Sequence, residues 1–172
     1  YLADTAGGRV VQVDVRGAEV RVIGDGQLGG PVGLAFGGEG NLIVADGNVA
    51  RMFAGENLIV GSFGGGSGLT SARDVIVGPN GHRYVADATG NIFQFNKFGL
   101  KVRDFSAFGL EDPFAMAFAP MRFFAQIRGQ MTRAGLEIVK IQEKSAIITV
   151  SPGSRTMMLS VMPLSCLMSK TV

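Results

Sequence analysis

The sequence has few of the residues that build disulfide frameworks or metal centres. Its 172 residues include one cysteine, one histidine and no tryptophan, and its net charge is only +2. The lone Cys166 excludes an internal disulfide framework, and its apolar neighbours favour a buried structural thiol over a nucleophile. The lone His82 excludes a histidine-rich zinc site or a histidine-dependent lyase site within this chain, and we expect it to be an exposed turn residue. The apolar stretch 157–168 is too short and too broken by proline to span a bilayer.

Glycine, in contrast, is abundant, with 26 residues. Many glycines, many β-branched residues and closely spaced turn signals indicate an all-β protein. The chain opens on Tyr1, within a strand pattern, so we expect a truncated N-terminus. Location is therefore open, and an extracytoplasmic one is our working guess.

A motif that ends in aspartate recurs along the chain. Its fullest copy is Leu42-Ile43-Val44-Ala45-Asp46, and shorter copies occupy 1–4 and 84–87, so that the aspartates are spaced by 42 and 41 residues. A second position repeats in steps of 41, at Phe36, Val77 and Phe118. A period of about 40 residues is typical of stacked units, and it suits the four-stranded blade of a β-propeller.

The repeat predicts three strands of an incomplete first unit and two complete four-stranded units. The predicted strands are 1–4, 9–15 and 19–23 in the first unit, 32–36, 41–45, 49–53 and 58–63 in the second, and 74–77, 83–86, 91–95 and 102–105 in the third. Small residues in the first strand of a unit suit the crowded axis of a propeller.

The segments Pro-x-Gly-Leu-Ala-Phe at 31–36 and Gly-x-Gly-Asn-Leu-Ile-Val-Ala-Asp at 38–46 resemble the NHL repeat of six-bladed, TolB-like β-propellers. The resemblance extends over residues 1–118 and implies a propeller segment of about four blades. Six blades at this period need about 250 residues, so we expect the chain to be part of a larger propeller. Family members often carry an arginine five residues after the aspartate. Arg9 and Arg51 match this pattern, whereas Ile92 occupies the position in the third copy.

The chain changes character near residue 120. Residues 1–120 contain nine Lys and Arg against twelve Asp and Glu, whereas 121–172 contain seven against two. A fourth unit begins at 112–120, but Gln126 stands near the place of the next aspartate. We predict propeller blades over 1–120. For 121–172 we favour a diverged fourth blade and the start of a fifth, with strands in 123–126, 136–142, 146–150 and 158–163, over an unrelated C-terminal tail.

The repeated aspartates and the turn residues suggest different roles. A side-chain oxygen that caps a turn is a common use of aspartate, so we assign Asp4, Asp46 and Asp87 to turn and blade stabilisation. Strands alternate direction, so the turn after each second strand and the connection into each new unit emerge on one side. This predicted loop face comprises Asn48, Arg73, Asp74, Asn91, Glu111 and Asp112. Asn41, Asn80 and His82 are expected on the opposite side.

The preferred function is a non-catalytic scaffold whose loop face binds a protein, peptide or carbohydrate. The resemblance leaves an enzyme of lactonase or lyase type as the alternative, with Asp74, Asp112, Asn48 and Asn91 around a divalent metal in the channel. We predict no other cofactor, since the glycine-rich run 64–68 lacks the lysine of a phosphate loop. RNA binding is a second alternative, but the acidic repeats disfavour it.

Overall fold

The structure is a computed structural model that describes residues 1–106, 110–120 and 145–150. All regular structure within these ranges is β-strand. The strands are β1 (Leu2–Asp4), β2 (Arg9–Val13), β3 (Glu19–Ile23), β4 (Pro31–Phe36), β5 (Leu42–Asp46), β6 (Val49–Phe53), β7 (Ile59–Phe63), β8 (Ala72–Val77), β9 (Arg83–Asp87), β10 (Ile92–Phe95), β11 (Lys101–Phe105), β12 (Ala115–Pro120) and β13 (Ser145–Val150).

The strands form antiparallel sheets in which chain neighbours pair in order. The orders are β1-β2-β3, β4-β5-β6-β7, β8-β9-β10-β11 and β12-β13. The predicted incomplete first unit and two complete four-stranded units are therefore confirmed. The pairing between third and fourth strands shifts register at the same place in each of these units, between Gln12 and Val13, Met52 and Phe53, and Gln94 and Phe95. The units therefore repeat in their strand pairing as well as in their amino-acid sequence.

The sheets pack face to face, and alternate residues of each second strand serve different interfaces. In β5, Leu42 and Val44 pack towards the first unit with Val10 and Ile23. Ile43 and Ala45 join the core that contains Val85 of the third unit. Side chains alternate along a strand, and each face of β5 packs against a neighbouring unit, so both faces are buried. This explains why its sequence is a continuous apolar run.

The first strands of neighbouring units approach each other closely. A Cβ added at Gly33 in β4 would lie 2.5 Å from the Cα of Asp74 in β8. Backbone packs on backbone here, so no side chain fits at Gly33. Glycine fixes the spacing of the second and third units at their inner edge.

Strand β1 is more exposed than its counterparts. All of β5 is buried, whereas Leu2 is 56% exposed. Within the described residues β1 pairs only with β2, so its other edge has no strand beside it. Tyr1 contacts Phe36 of the second unit edge to face, with ring centroids 5.0 Å apart.

The fourth sheet contains β12 and β13, which pair from Ala115 with Val150 to Pro120 with Ser145. The strand predicted at 146–150 is therefore present, and it pairs directly with the first strand of its unit. The predicted strands at 123–126, 136–142 and 158–163 lie outside the described residues. Within the described ranges no helix is long and apolar enough to cross a membrane.

Candidate functional site

Asp46, at the end of β5, forms hydrogen bonds to the connection that enters the second unit and to strand β6. Its Oδ1 accepts hydrogen bonds from the backbone amides of Gly29 (2.9 Å) and Gly30 (2.8 Å), in the connection that enters the unit. Its Oδ2 accepts a hydrogen bond from Nε of Arg51 at 3.0 Å. Asp46 is 5% exposed. Because both oxygens are used within the fold, these contacts support the structural role assigned to this aspartate.

Asp87 occupies the same place in the third unit with different partners. Its carboxylate accepts hydrogen bonds from the backbone amides of Thr70 (2.8 Å), Ser71 (2.7 Å) and Thr89 (3.0 Å), and from both threonine hydroxyls. Burial pushes the pKa of Asp87 upwards, but hydrogen bonds from Thr89, Ser71 and Thr70 together outweigh burial and lower it. Hydroxyl groups here replace the arginine of the other copies.

The strand register corrects the expected equivalence of Ile92 with the arginine position. Arg51 pairs opposite Val44, and the residue that pairs opposite Val85, the counterpart of Val44, is Phe93. The reason is a longer turn, since Asp46 pairs with Val49 whereas Asp87 donates its amide to the carbonyl of Asn91. The added residue brings Thr89 within reach of Asp87.

Asp4 shares the arginine contact of Asp46 in a more exposed setting, but its backbone donor lies in the turn that follows it. Its carboxylate accepts hydrogen bonds from the Gly7 amide (2.8 Å) and from Nε of Arg9 (3.0 Å). The Gly7 amide, followed by Arg9, holds the pKa of Asp4 below its usual value. The three repeated aspartates therefore all accept hydrogen bonds from the turns around them.

Two residues of the predicted loop face bond to each other. Nε of Arg73 donates to Oδ1 of Asp112 at 2.8 Å, and a second guanidinium nitrogen donates to Oδ2 at 3.3 Å. Asp112 has φ of 45°, in the left-handed region that aspartate tolerates. The pair links β8 to the connection that enters β12. The pair uses two of the five N–H donors of the guanidinium and both carboxylate oxygens.

Asp74 is also engaged between units. Its Oδ2 accepts a hydrogen bond from the Met116 amide at 2.7 Å, and its Oδ1 accepts one from the Val75 amide at 2.9 Å. Burial raises the pKa of Asp74 despite these two bonds. Within the described residues, no group of three or more His, Cys, Asp and Glu side chains lies close enough to hold a metal ion. Asp74 and Asp112 accept hydrogen bonds from different partners, and the divalent site that combines them with Asn48 and Asn91 stays a prediction.

The rest of the predicted loop face lies on turns that meet at one edge. Ala72, at the start of β8, donates its amide to the carbonyl of Gly47 at 2.6 Å, which joins the connection into the third unit to the turn that carries Asn48. Asn48 and Glu111 are exposed, and Nδ2 of Asn91 donates to the Thr89 hydroxyl at 3.1 Å. The structure thus brings these turns together at one edge.

A cavity of about 460 Å³ lies between the second and third sheets, at the end of the strands away from the loop face. Sequence reasoning did not predict it. We call it the interunit groove, and its lining residues are Gly37, Gly38, Glu39, Asn41, Ile43, Met52, Val60, Val77, Gly81, Arg83, Lys97 and Phe98.

The groove has an apolar floor. Ile43 is fully buried beneath it, and Met52 lies over Gly61, where an added Cβ would be 2.6 Å from the methionine Cε. Val60 and Phe98 form the outer part and are 47% and 76% exposed. Such a floor favours a ligand with apolar side chains.

Charged side chains stand on the rim. The Arg83 guanidinium lies 4.9 Å from the centroid of the Phe63 ring, and Lys97 Nζ lies 5.0 Å from that of Phe98. Burial lowers the pKa of Arg83, while the nearby charge of Glu39 acts in the opposite direction. In the part of the chain that the structure describes, neither cation of the groove forms a salt bridge.

A signal for the groove is present in the repeat. Arg83 begins β9, as Leu42 begins β5, and both stand four residues before the aspartate. Leu42 is 3% exposed and fills the interface between the first and second units with Val10 and Phe53. A cation in place of that leucine is the feature by which the next interface could have been recognised as unusual.

His82 is not the exposed turn residue that we expected. It is half-buried, and its Nδ1 lies 2.7 Å from Nε2 of Gln94, which also donates to the Tyr84 hydroxyl at 3.2 Å. Gln94 is fully buried, and its Oε1 has no hydrogen-bond partner among the described residues. Burial, followed by the charge of Arg103, lowers the pKa of His82, and burial raises the pKa of Tyr84 to about 12.

Comparison with known proteins gives structural likeness only. No known family matches the sequence, and no characterised protein sequence matches it. The fold is similar to that of virginiamycin B lyase from Staphylococcus aureus, with 15% identity and a TM-score of 0.54 over 66% of this chain and 39% of the lyase. It is also similar to Sqt1 from Saccharomyces cerevisiae, with 9% identity and a TM-score of 0.54 over 83% of this chain and 36% of Sqt1.

The chain therefore spans less than two fifths of either protein. At these identities the likeness concerns the fold and not the activity. Both neighbours are propellers, and this chain repeats four-stranded antiparallel sheets. The chain is therefore an all-β segment of a β-propeller.

Proposed function

We propose that this chain is a non-catalytic β-propeller scaffold that binds a peptide segment of a partner protein. The propeller is of the six-bladed NHL type, and the chain supplies part of it. The observation that carries the proposal is the interunit groove, with its apolar floor and charged rim. The exposed remainder of the loop face, around Asn48 and Glu111, is the competing surface.

The groove suits a peptide in both size and chemistry. Its volume of about 460 Å³ lies within the range of small ligand sites, roughly 300 to 1,000 Å³, and accommodates a few side chains. Val60 and Phe98 extend the floor outwards as exposed apolar surface, which a partner would cover. Glu39, Arg83 and Lys97 supply charges of both signs for the polar groups of a peptide.

The rigid setting also supports binding. Ile43 and Val77 belong to strands of two different sheets, and the turns at Gly37–Asn41 and Gly78–His82 are closed by backbone hydrogen bonds of 2.9 and 2.7 Å. A preformed site loses little conformational entropy when it is occupied.

The test is to block the groove without disturbing the fold. An added Cβ at Gly38 meets nothing within 4 Å, and Gly38 has no positive φ, so Gly38→Leu places a side chain at the groove. Gly65→Leu is the matched control, since Gly65 has the same open space in the connection into the third unit. Both variants should retain the circular dichroism spectrum and melting temperature of the parent chain.

Wild-type protein is used to select peptides from a displayed random library, and the selected peptides are titrated by fluorescence anisotropy. We expect Gly38→Leu to abolish binding and Gly65→Leu to leave it unchanged. Peptides that tolerate Gly38→Leu but lose affinity with the loop-face double substitution Asn48→Ala and Glu111→Ala would move the site to the loop face. Failure to select any peptide, with binding of an oligosaccharide panel instead, would overturn the peptide proposal.

A further inference from the structure

Arg83 distinguishes the interunit groove from the interface that precedes it in the repeat. One interface earlier, Leu42 fills this position with buried apolar packing. One interface later, the counterparts of Asn41, Ile43 and Met52 are His82, Tyr84 and Gln94, as the strand pairing shows. These three side chains bond to one another beside Phe118. Among the described residues of these interfaces, Arg83 is the arginine that lines a cavity.

The Arg83 guanidinium lies over the ring of Phe63, 4.9 Å from its centroid. A guanidinium that lies over a ring keeps its N–H donors around its edge available, and their fork matches the two oxygens of a carboxylate. Arg83 is partly buried, and it has no salt bridge among the described residues. Partial removal of a cation from water is unfavourable, and an incoming anion would offset this cost by forming charge-assisted hydrogen bonds with Arg83.

The charges around the groove define the sign of the ligand. Two cations, Arg83 and Lys97, line it against one carboxylate, Glu39. Glu39 is exposed, in the turn between β4 and β5, and does not approach Arg83 closely enough for a salt bridge. The rim of the groove therefore carries more positive than negative charge, beside an apolar floor.

We infer that the groove selects a peptide segment in which an aspartate or glutamate lies next to an apolar residue. The carboxylate pairs with the fork of Arg83, and the apolar side chain lies on Ile43, Met52 and Val77. The inference rests on the proposed function and gives the chemical class of the partner. No covalent bond is made or broken in this interaction.

The experiment separates the anion from the peptide. Arg83→Met keeps a long side chain over Phe63 but removes the charge, and Arg83→Lys keeps the charge without the fork. Peptides selected by the wild-type protein should be enriched in Asp or Glu beside an apolar residue. For one such peptide, Arg83→Met and an acid-to-amide change in the peptide should each weaken binding by about tenfold or more. The two changes combined should weaken it no further, and Arg83→Lys should recover part of the affinity.

Several outcomes would overturn the inference. If the selected peptides are neutral and lose binding with Gly38→Leu, the groove binds peptides but does not select an acid. If the acidic peptide binds Arg83→Met as it binds the parent, the carboxylate has another partner. If amidation of the peptide C-terminus abolishes binding while the side-chain change does not, the terminal carboxylate is the recognised group. If no peptide binds in the groove at all, the proposed function fails together with the inference.

Discussion

At the scale of single residues, burial decides how much each repeated aspartate contributes to stability. Asp46→Ala leaves the amides of Gly29 and Gly30 and the Arg51 side chain without their acceptor. We expect the free energy of unfolding to fall by about 1 to 2 kcal/mol, as the loss of a capping acceptor does, because the donors are only partly buried. Urea unfolding followed by circular dichroism measures the change.

Asp4→Ala is the matched comparison, because Asp4 holds the same place in the repeat but is much more exposed. Its loss should be clearly smaller, since water can replace the lost acceptor. Equal losses for the two variants would show that the connection at Gly29 and Gly30 does not depend on Asp46.

His82 should make stability depend on pH. Burial, followed by Arg103, places the pKa of His82 in the folded chain below its ordinary value of 6.5. As the pH falls through 6.5, His82 therefore becomes protonated in the unfolded chain but stays neutral in the folded chain. Proton binding stabilises the unfolded chain, so the free energy of unfolding falls. This loss continues until the pH reaches the lowered pKa of the folded state.

His82→Asn is the test, because asparagine is the residue of the second unit at this place, Asn41. We expect the difference in unfolding free energy between the parent and this variant to be constant above about pH 7.5 and to change as the pH falls below 6.5. Asp74, whose raised pKa acts in the opposite direction, is present in both proteins and cancels in the comparison. A flat difference from pH 8 to pH 5 would contradict the burial of His82.

At the scale of elements, the strands and their order could be predicted from the sequence, because the same succession of strands and turns recurs about every 41 residues. The positions of the aspartates followed from that pattern. Their partners did not, since a turn longer by one residue moved the arginine position from Ile92 to Phe93. The groove was also missed, because its shape depends on how side chains of two units fit together, although Arg83 in the place of Leu42 marks the interface as unusual.

The ion pair between Arg73 and Asp112 should contribute little, although it joins two units. Both side chains are about one third exposed or more, at 32% and 41%. The double-mutant cycle of Arg73→Met and Asp112→Asn should give a coupling energy of at most about 1 kcal/mol. Asparagine is chosen because it tolerates the positive φ of Asp112.

The cycle is measured by urea unfolding at low salt and again in 1 M sodium chloride, where the coupling should decrease. A coupling well above this value that does not respond to salt would mean that the pair is buried. That result would also remove both residues from any binding surface.

At the scale of the whole molecule, the open edge of β1 should cause the chain to associate. Leu2 and Tyr1 are exposed beside an edge that no strand of the described residues covers. Exposed apolar edge strands pair readily with other chains. Size-exclusion chromatography with light scattering should show a mass above that of the monomer that rises with concentration.

Leu2→Lys places a charge on this edge and should shift the chain towards monomer without changing the melting temperature greatly. Leu100→Lys is the control, since Leu100 is 66% exposed in the turn before β11. A chain that is monomeric at high concentration would show that β1 is protected.

The aspartate contacts also determine where the repeat can be cut and rejoined. Asp46 bonds to Gly29 and Gly30, and Asp87 bonds to Thr70 and Ser71, so acceptor and donors are 17 and 16 residues apart in both units. A segment of residues 29–69 contains both Asp46 and the two amides that donate to it. A segment that begins at a strand boundary such as Pro31 lacks those two donors. Duplication, deletion or exchange of units, in evolution or in the laboratory, should therefore succeed at joints just before residues 29 and 70.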